Sequence, residues 1–184
     1  MKKAILWMTI LLAGCSSPDN DPIKPEQESV LKEEGNNVQN EPKKLEFSEV
    51  SELEPVEKID IHNDDVIVKS AGVKVKKITD SVDTVGEPKK NYKLSDSALG
   101  TQIELSRSQI VLGWYAVNED ESSKLKSLES IRVAQRLARS MLGIEGGKLV
   151  DQITQKGKIE PQIIDGYEVT GSCVYAPCIL RISR

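Results

Sequence analysis

Histidine, cysteine and aromatic residues are scarce in this chain of 184 residues, and each scarcity removes a class of function. A single histidine, His62, offers zinc too few nitrogen ligands. No apolar run approaches the roughly 18 to 20 residues that a membrane-spanning helix requires. A basic excess is also missing: 25 Lys plus Arg face 29 Asp plus Glu, for a net charge of -4. With a pI near 5.2 the chain is not expected to bind nucleic acid, which demands cations to neutralise phosphates. Mean hydropathy is -0.36, so the remaining class is a small polar module of one domain plus extra segments.

What is present is clearest at the N-terminus. Lys2 and Lys3 precede nine apolar or small residues, Ala4 to Leu12. Nine helical residues rise only about 14 Å, which suits a signal-peptide core and not a transmembrane helix. The core runs into Leu12-Ala13-Gly14-Cys15, which resembles the lipobox of bacterial lipoprotein precursors. That resemblance implies cleavage after residue 14, lipidation of the Cys15 sulfur and acylation (palmitate) of the new amino group. Each buried CH₂ contributes about 0.8 kcal/mol, so several chains hold firmly where one does not. Ser16 follows, not the Asp that resembles an inner-membrane retention signal. The implied location is the cell outer membrane, lipid-anchored on its periplasmic side.

Residues 16–44 contain Pro18, Pro22, Pro25 and Pro42, few apolar residues and no sustained periodicity, and so read as a disordered tether. Over residues 16–60 there are 13 acidic and 5 basic side chains, placing the acidity in the leash and not in the domain. Its root-mean-square span of about 30 Å would hold a module clear of headgroups. It serves as a spacer or as an acidic docking segment for a basic partner. The expected organisation is therefore a signal peptide at 1–14, lipidated Cys15 with tether at 15–57, and a folded domain at 58–184.

The folded part reads as α+β: a small, mainly antiparallel sheet packed by one long amphipathic helix. Val66-Ile67-Val68 and Val73 to Ile78, split by Ser70-Ala71-Gly72, suggest a hairpin. Residues 88–100 read as loop, and Ile110 to Val117 as a central strand covered on both faces. Asn118 with Glu121 suggests a capping box opening a helix over 119–142, with Leu125, Leu128, Ile131, Ala134, Leu137, Ala138 and Met141 as its buried stripe and Gly143 as its stop. Strands are expected over 148–155, 159–164, 166–173 and 178–182, broken at Gly157, Pro161 and Asp165-Gly166.

The last two strands carry a chemical expectation. If residues 174–177 form the connecting loop, Cys173 faces Cys178, Gly171 faces Leu180 and Val169 faces Ile182. With Cys15 lipidated, two thiols remain in an oxidising compartment. In one extended strand they would be about 16 Å apart, but across a hairpin their Cα atoms approach to about 5 Å, within disulfide reach. A Cys173–Cys178 disulfide is expected over two buried free thiols, and a redox pair is not, the spacing not being Cys-x-x-Cys.

Other constellations are weak. The run Asp60-Ile61-His62-Asn63-Asp64-Asp65 lacks the glycine and closing Glu of a calcium loop and reads as solvated. Gly143 to Lys148 is glycine-rich but follows a helix, with no Ser or Thr after the Lys, so no phosphate loop is expected. No catalytic residue, metal or cofactor is therefore assigned. The C-terminal third, with its helix Ala134 to Leu142, glycine-rich break, strand Leu149 to Thr154 and Gly166-Tyr167-Glu168-Val169-Thr170-Gly171, is similar to LPP20-type lipoproteins, some of which are linked to flagellar or surface assembly. The function expected is a non-enzymatic envelope scaffold whose partners are the membrane and other envelope proteins. The alternatives are a lipid- or small-molecule-binding module, with Trp114 and Tyr115 as candidate pocket residues, and a cell-wall hydrolase.

Overall fold

A computed structural model describes residues 45–48 and 53–184; Cys15, the leader and the expected tether lie outside the described residues. The chain divides into Met1–Gln39 and Asn40–Arg184, and the fold below belongs to the second unit. Its elements are α1 (Asp64–Ser70), β1 (Lys77–Val82), β2 (Pro88–Lys93), β3 (Gln102–Ser106), β4 (Gln109–Tyr115), α2 (Glu121–Lys156), β5 (Lys158–Ile164), β6 (Tyr167–Cys173) and β7 (Pro177–Ser183). All seven strands form one antiparallel sheet in the order β1-β2-β3-β4-β7-β6-β5. The α+β class and the long helix are as the pattern implies.

Two meanders, β1 to β4 and β5 to β7, meet where β4 pairs with β7 along its whole length, from Gln109↔Ser183 to Tyr115↔Pro177. One face of this sheet is the core: Ile103, Leu105, Ile110, Leu112, Trp114, Val169, Leu180 and Ile182 are buried against α1 and α2. The alternation of β4 buries Ile110, Leu112 and Trp114 but leaves Val111 half-buried on the other face. β4 is the central strand, as expected. Coverage on both faces is not observed, because no described element lies over the second face.

The helix begins at Asp120, not Asn118. Its carboxylate accepts from the Ser123 amide at 2.9 Å, and Ser123 Oγ accepts from the Asp120 amide at 3.2 Å. Hydrogen bonding from Ser123 holds the Asp120 carboxyl below the usual carboxylate range. Of the expected stripe, Ile131, Ala134, Leu137, Ala138 and Met141 are buried; in the first turns Leu128 is half-buried and Leu125 is 59% exposed, and Ser127 and Ser130 are buried in their place. Ser127 Oγ accepts from the Val117 amide at 2.9 Å, and Ser130 Oγ lies 3.1 Å from Thr101 Oγ1. Small hydroxylated residues let the helix approach strand ends whose backbone donors require partners.

At Gly143 (φ 66°, ψ -160°) α2 is interrupted, and a second helical arm continues to Lys156. The arms fold back on one another. Gln135 Nε2, eight residues before the break, donates to Asp151 Oδ1, eight residues after it, at 2.6 Å. Gly146 sits so close to Ala138 that an added Cβ would collide with the Ala138 carbonyl oxygen. The strand expected over 148–155 is therefore helix; its apolar residues Leu149, Val150 and Ile153 repeat at three and four, a period that a short window confuses with a buried strand.

Two further expectations are corrected. Val66 to Val68 are helical, because Asn63 accepts from the Val66 amide and Asp64 and Asp65 occupy the first turn, outweighing β-branched preference. The hairpin lies later in the chain, as β1 and β2, and residues 88–93 are strand although only Tyr92 among them is buried. The break at Asp165-Gly166 is a tight turn with both residues at positive φ (53° and 86°), as Asp-Gly hairpins require. Replacing Gly146 with Ala should push the arms apart and lower unfolding free energy by about 1 to 3 kcal/mol in urea titration, whereas Ile144→Ala, at a half-exposed position, should cost less than about 1 kcal/mol.

Candidate interaction surface

The β6–β7 hairpin forms in the expected register: Val169↔Ile182, Gly171↔Leu180 and Cys173↔Cys178. The two sulfurs are bonded, with Cα atoms 3.9 Å apart. Three backbone hydrogen bonds hold the loop from different sides: Val174 donates to Pro177, Ala116 to Ala176 and Cys173 to Gly157. At the apex stands Tyr175, 99% exposed and at φ 61°, beside Val174 at 63% exposure. A large apolar ring is thus displayed on backbone that a covalent ring and three hydrogen bonds immobilise. The arrangement can insert a preordered aromatic into a complementary surface with little loss of conformational freedom. The Cys-x₄-Cys spacing located the loop; the signal for Tyr175 itself was an aromatic at its tip.

The sheet's second face is polar. Its hollow of about 300 Å³ is lined by Lys89, Gln102, Glu104, Gln109 and Arg181 around Val111 and Ile179, with the β1–β2 turn at Asp83 reaching its rim. Lys89 Nζ and Glu104 Oε2 are 2.6 Å apart, and Asn91 Nδ2 donates to Glu104 Oε1 at 3.3 Å, so the central carboxylate is already engaged. A larger cavity, about 640 Å³, opens on the helix side beside His62, Asp64, Asp80, Lys90, Leu105 and Arg107. Its wall is stiffened by Arg184, whose side chain is only 5% exposed and which donates to the carbonyls of Ile61 and Ser106 and pairs with Asp64 at 2.8 Å.

The Asp60 to Asp65 run, read as a solvated loop, is part cap and part helix. Asp60 accepts from the His62 amide, Asn63 caps α1 and Asp64 is held by Arg184. The His62 ring is tilted against Tyr167 at 6.2 Å. Among the described residues no group of three or more His, Cys, Asp and Glu side chains is placed to hold a metal ion. Trp114 is 1% exposed and donates through Nε1 to Thr154 Oγ1 at 3.0 Å, which makes it a core residue and not a pocket wall. Among the described residues no helix is long and apolar enough to cross a membrane.

Residues 45–48 and 53–54, within the span read as tether, lie along α2. Leu45 and Phe47 pack on the core, Ser48 O accepts from Gln135, Glu54 O accepts from Arg139 and Ile59 donates to Ser140 O. Burial lowers the pKa of the Arg139 guanidinium, with Arg136 adding to the effect and Asp151 opposing it. No family model, curated protein or solved structure matches the chain.

Unreduced protein treated with an alkylating agent after denaturation should leave Cys173 and Cys178 unmodified by intact mass, and reduction should expose both. Opening this short ring should reduce stability by about 2 kcal/mol.

Proposed function

We propose that this chain is a lipid-anchored envelope lipoprotein, held at the outer membrane through Cys15, whose folded domain is a non-enzymatic assembly component of a secretion, flagellar or surface-structure complex. The observation that carries the reading is the exposed Tyr175 on its pinned loop. An isolated aromatic fixed in water gains nothing for folding. Inserted in a partner's pocket, it has the character of an interface hot spot, where buried Tyr and Trp side chains dominate affinity. The anchor rests on the sequence alone: basic start, short apolar core and LAGC. The disulfide supports export, since such bonds persist in oxidising compartments.

A second reading, a small-molecule module, has the 640 Å³ cavity beside α1 in its favour. Charged groups of both signs around its rim suit a polar ligand better than a lipid.

Crosslinking in intact cells followed by capture of the solubilised protein tests the assembly role. The variant Tyr175→Ser should lose the principal crosslinked partner while its stability stays within about 0.5 kcal/mol of the parent. Retention of every partner would remove Tyr175 from the interface and the reading with it. In parallel, Cys15→Ser should shift the protein from the membrane pellet to the soluble fraction; unchanged pelleting would overturn the anchor.

A further inference from the structure

The two edges of the sheet are unequal. β5 carries Pro161, which has no amide hydrogen to offer, and its register shifts between Ile159 and Gln162, so it is a poor template for another strand. β1 has neither device. All six of its residues are exposed, and among the described residues nothing pairs with its outer edge. Asp83 donates to Glu87 O across the hairpin, so strand alternation turns the odd residues toward β2 and leaves the amides and carbonyls of Ile78, Asp80 and Val82 directed outward.

We propose that β1 pairs with β1 of a second copy of this chain, antiparallel and centred on Asp80, giving a continuous fourteen-stranded sheet across a twofold axis. The side chains select this register. Ile78, 56% exposed, falls opposite Val82 of the second copy, 63% exposed, and the pair occurs twice by symmetry on the helix side of the sheet. On the other side Lys77 meets Asp83, again twice, and Thr79 meets Ser81. Shifting by two residues sets Ile78 or Val82 against Asp80 and removes both the apolar and the charge pairs. The cost of the chosen register is one contact, Asp80 against Asp80, which Lys90 beside each carboxylate in β2 offsets. The edge therefore matches itself in charge, apolarity and hydrogen-bond phase. This pairing is independent of the Tyr175 loop, and either can fail without the other.

The test is oxidative crosslinking and sedimentation of the detergent-solubilised full-length chain. Asp80→Cys should form a reducible dimer under mild oxidation, and Ser81→Cys, which faces Thr79, should not. The double variant Ile78→Lys/Val82→Lys should sediment as a monomer with an unchanged circular dichroism spectrum, since both positions are exposed. Asp80→Asn should tighten self-association by about two- to fivefold by removing the like-charge contact. A parent protein that sediments only as monomer, equal crosslinking at positions 80 and 81, or no response to Asp80→Asn would each overturn the proposal.

Discussion

The pairing of β4 with β7 imposes the geometry that everything else satisfies. β7, β6 and β5 alternate in direction, so β5 must start at the same end of the sheet at which β4 finishes. The connection between them is a 36-residue helical element. Straight, it would extend about 54 Å, more than twice the roughly 23 Å of a seven-residue strand, and would deliver the chain far from its target. The helix must go out and return. Gly143 provides the reversal through a backbone conformation closed to most residues, and Gly146 provides the close contact that lets two arms share one sheet face.

Burying two arms brings polar groups inside. Gln135, Arg139 and Asp151 lie at 2%, 9% and 8% exposure, and the hydrogen bonds among them and to the chain at Ser48 and Glu54 replace lost water. Such a cluster contributes little net free energy when complete and is costly when broken. It ties the chain at Ser48 and Glu54 to α2. The pinned β6–β7 loop and the N-terminus of α2 share one end of the sheet, while the α2 reversal and Arg184 occupy the other.

Legibility in the sequence followed the locality of the forces. The β6–β7 register was readable to the residue, because alternation, a short loop and two cysteines act within 16 positions. The break at Gly143, the Asp165-Gly166 turn and the centrality of β4 were readable for the same reason. Elsewhere local signals conflict or are faint. Val66 to Val68 read as strand by composition, but the Asn63 cap makes them helix. Leu149 to Thr154 has a period too short to arbitrate. In β2 only Tyr92 reaches the core, and in β3 the alternation of Ile103 and Leu105 with polar residues spans only five positions.

By itself the chain's order of residues determined the charge distribution, the candidate lipobox ending at Cys15, the α+β class and the pairing of Cys173 with Cys178, all of which depend on neighbours or on short-range periodicity. Tertiary packing alone decided that α2 turns back, that Ser127 and Ser130 and not Leu125 are buried in its first turns and that, among the described residues, one sheet face stays uncovered and β1 is the unguarded edge. Those outcomes arise from contacts between segments tens of residues apart, where the cost of closing the chain and the shape of the opposing surface, not local propensity, select the arrangement.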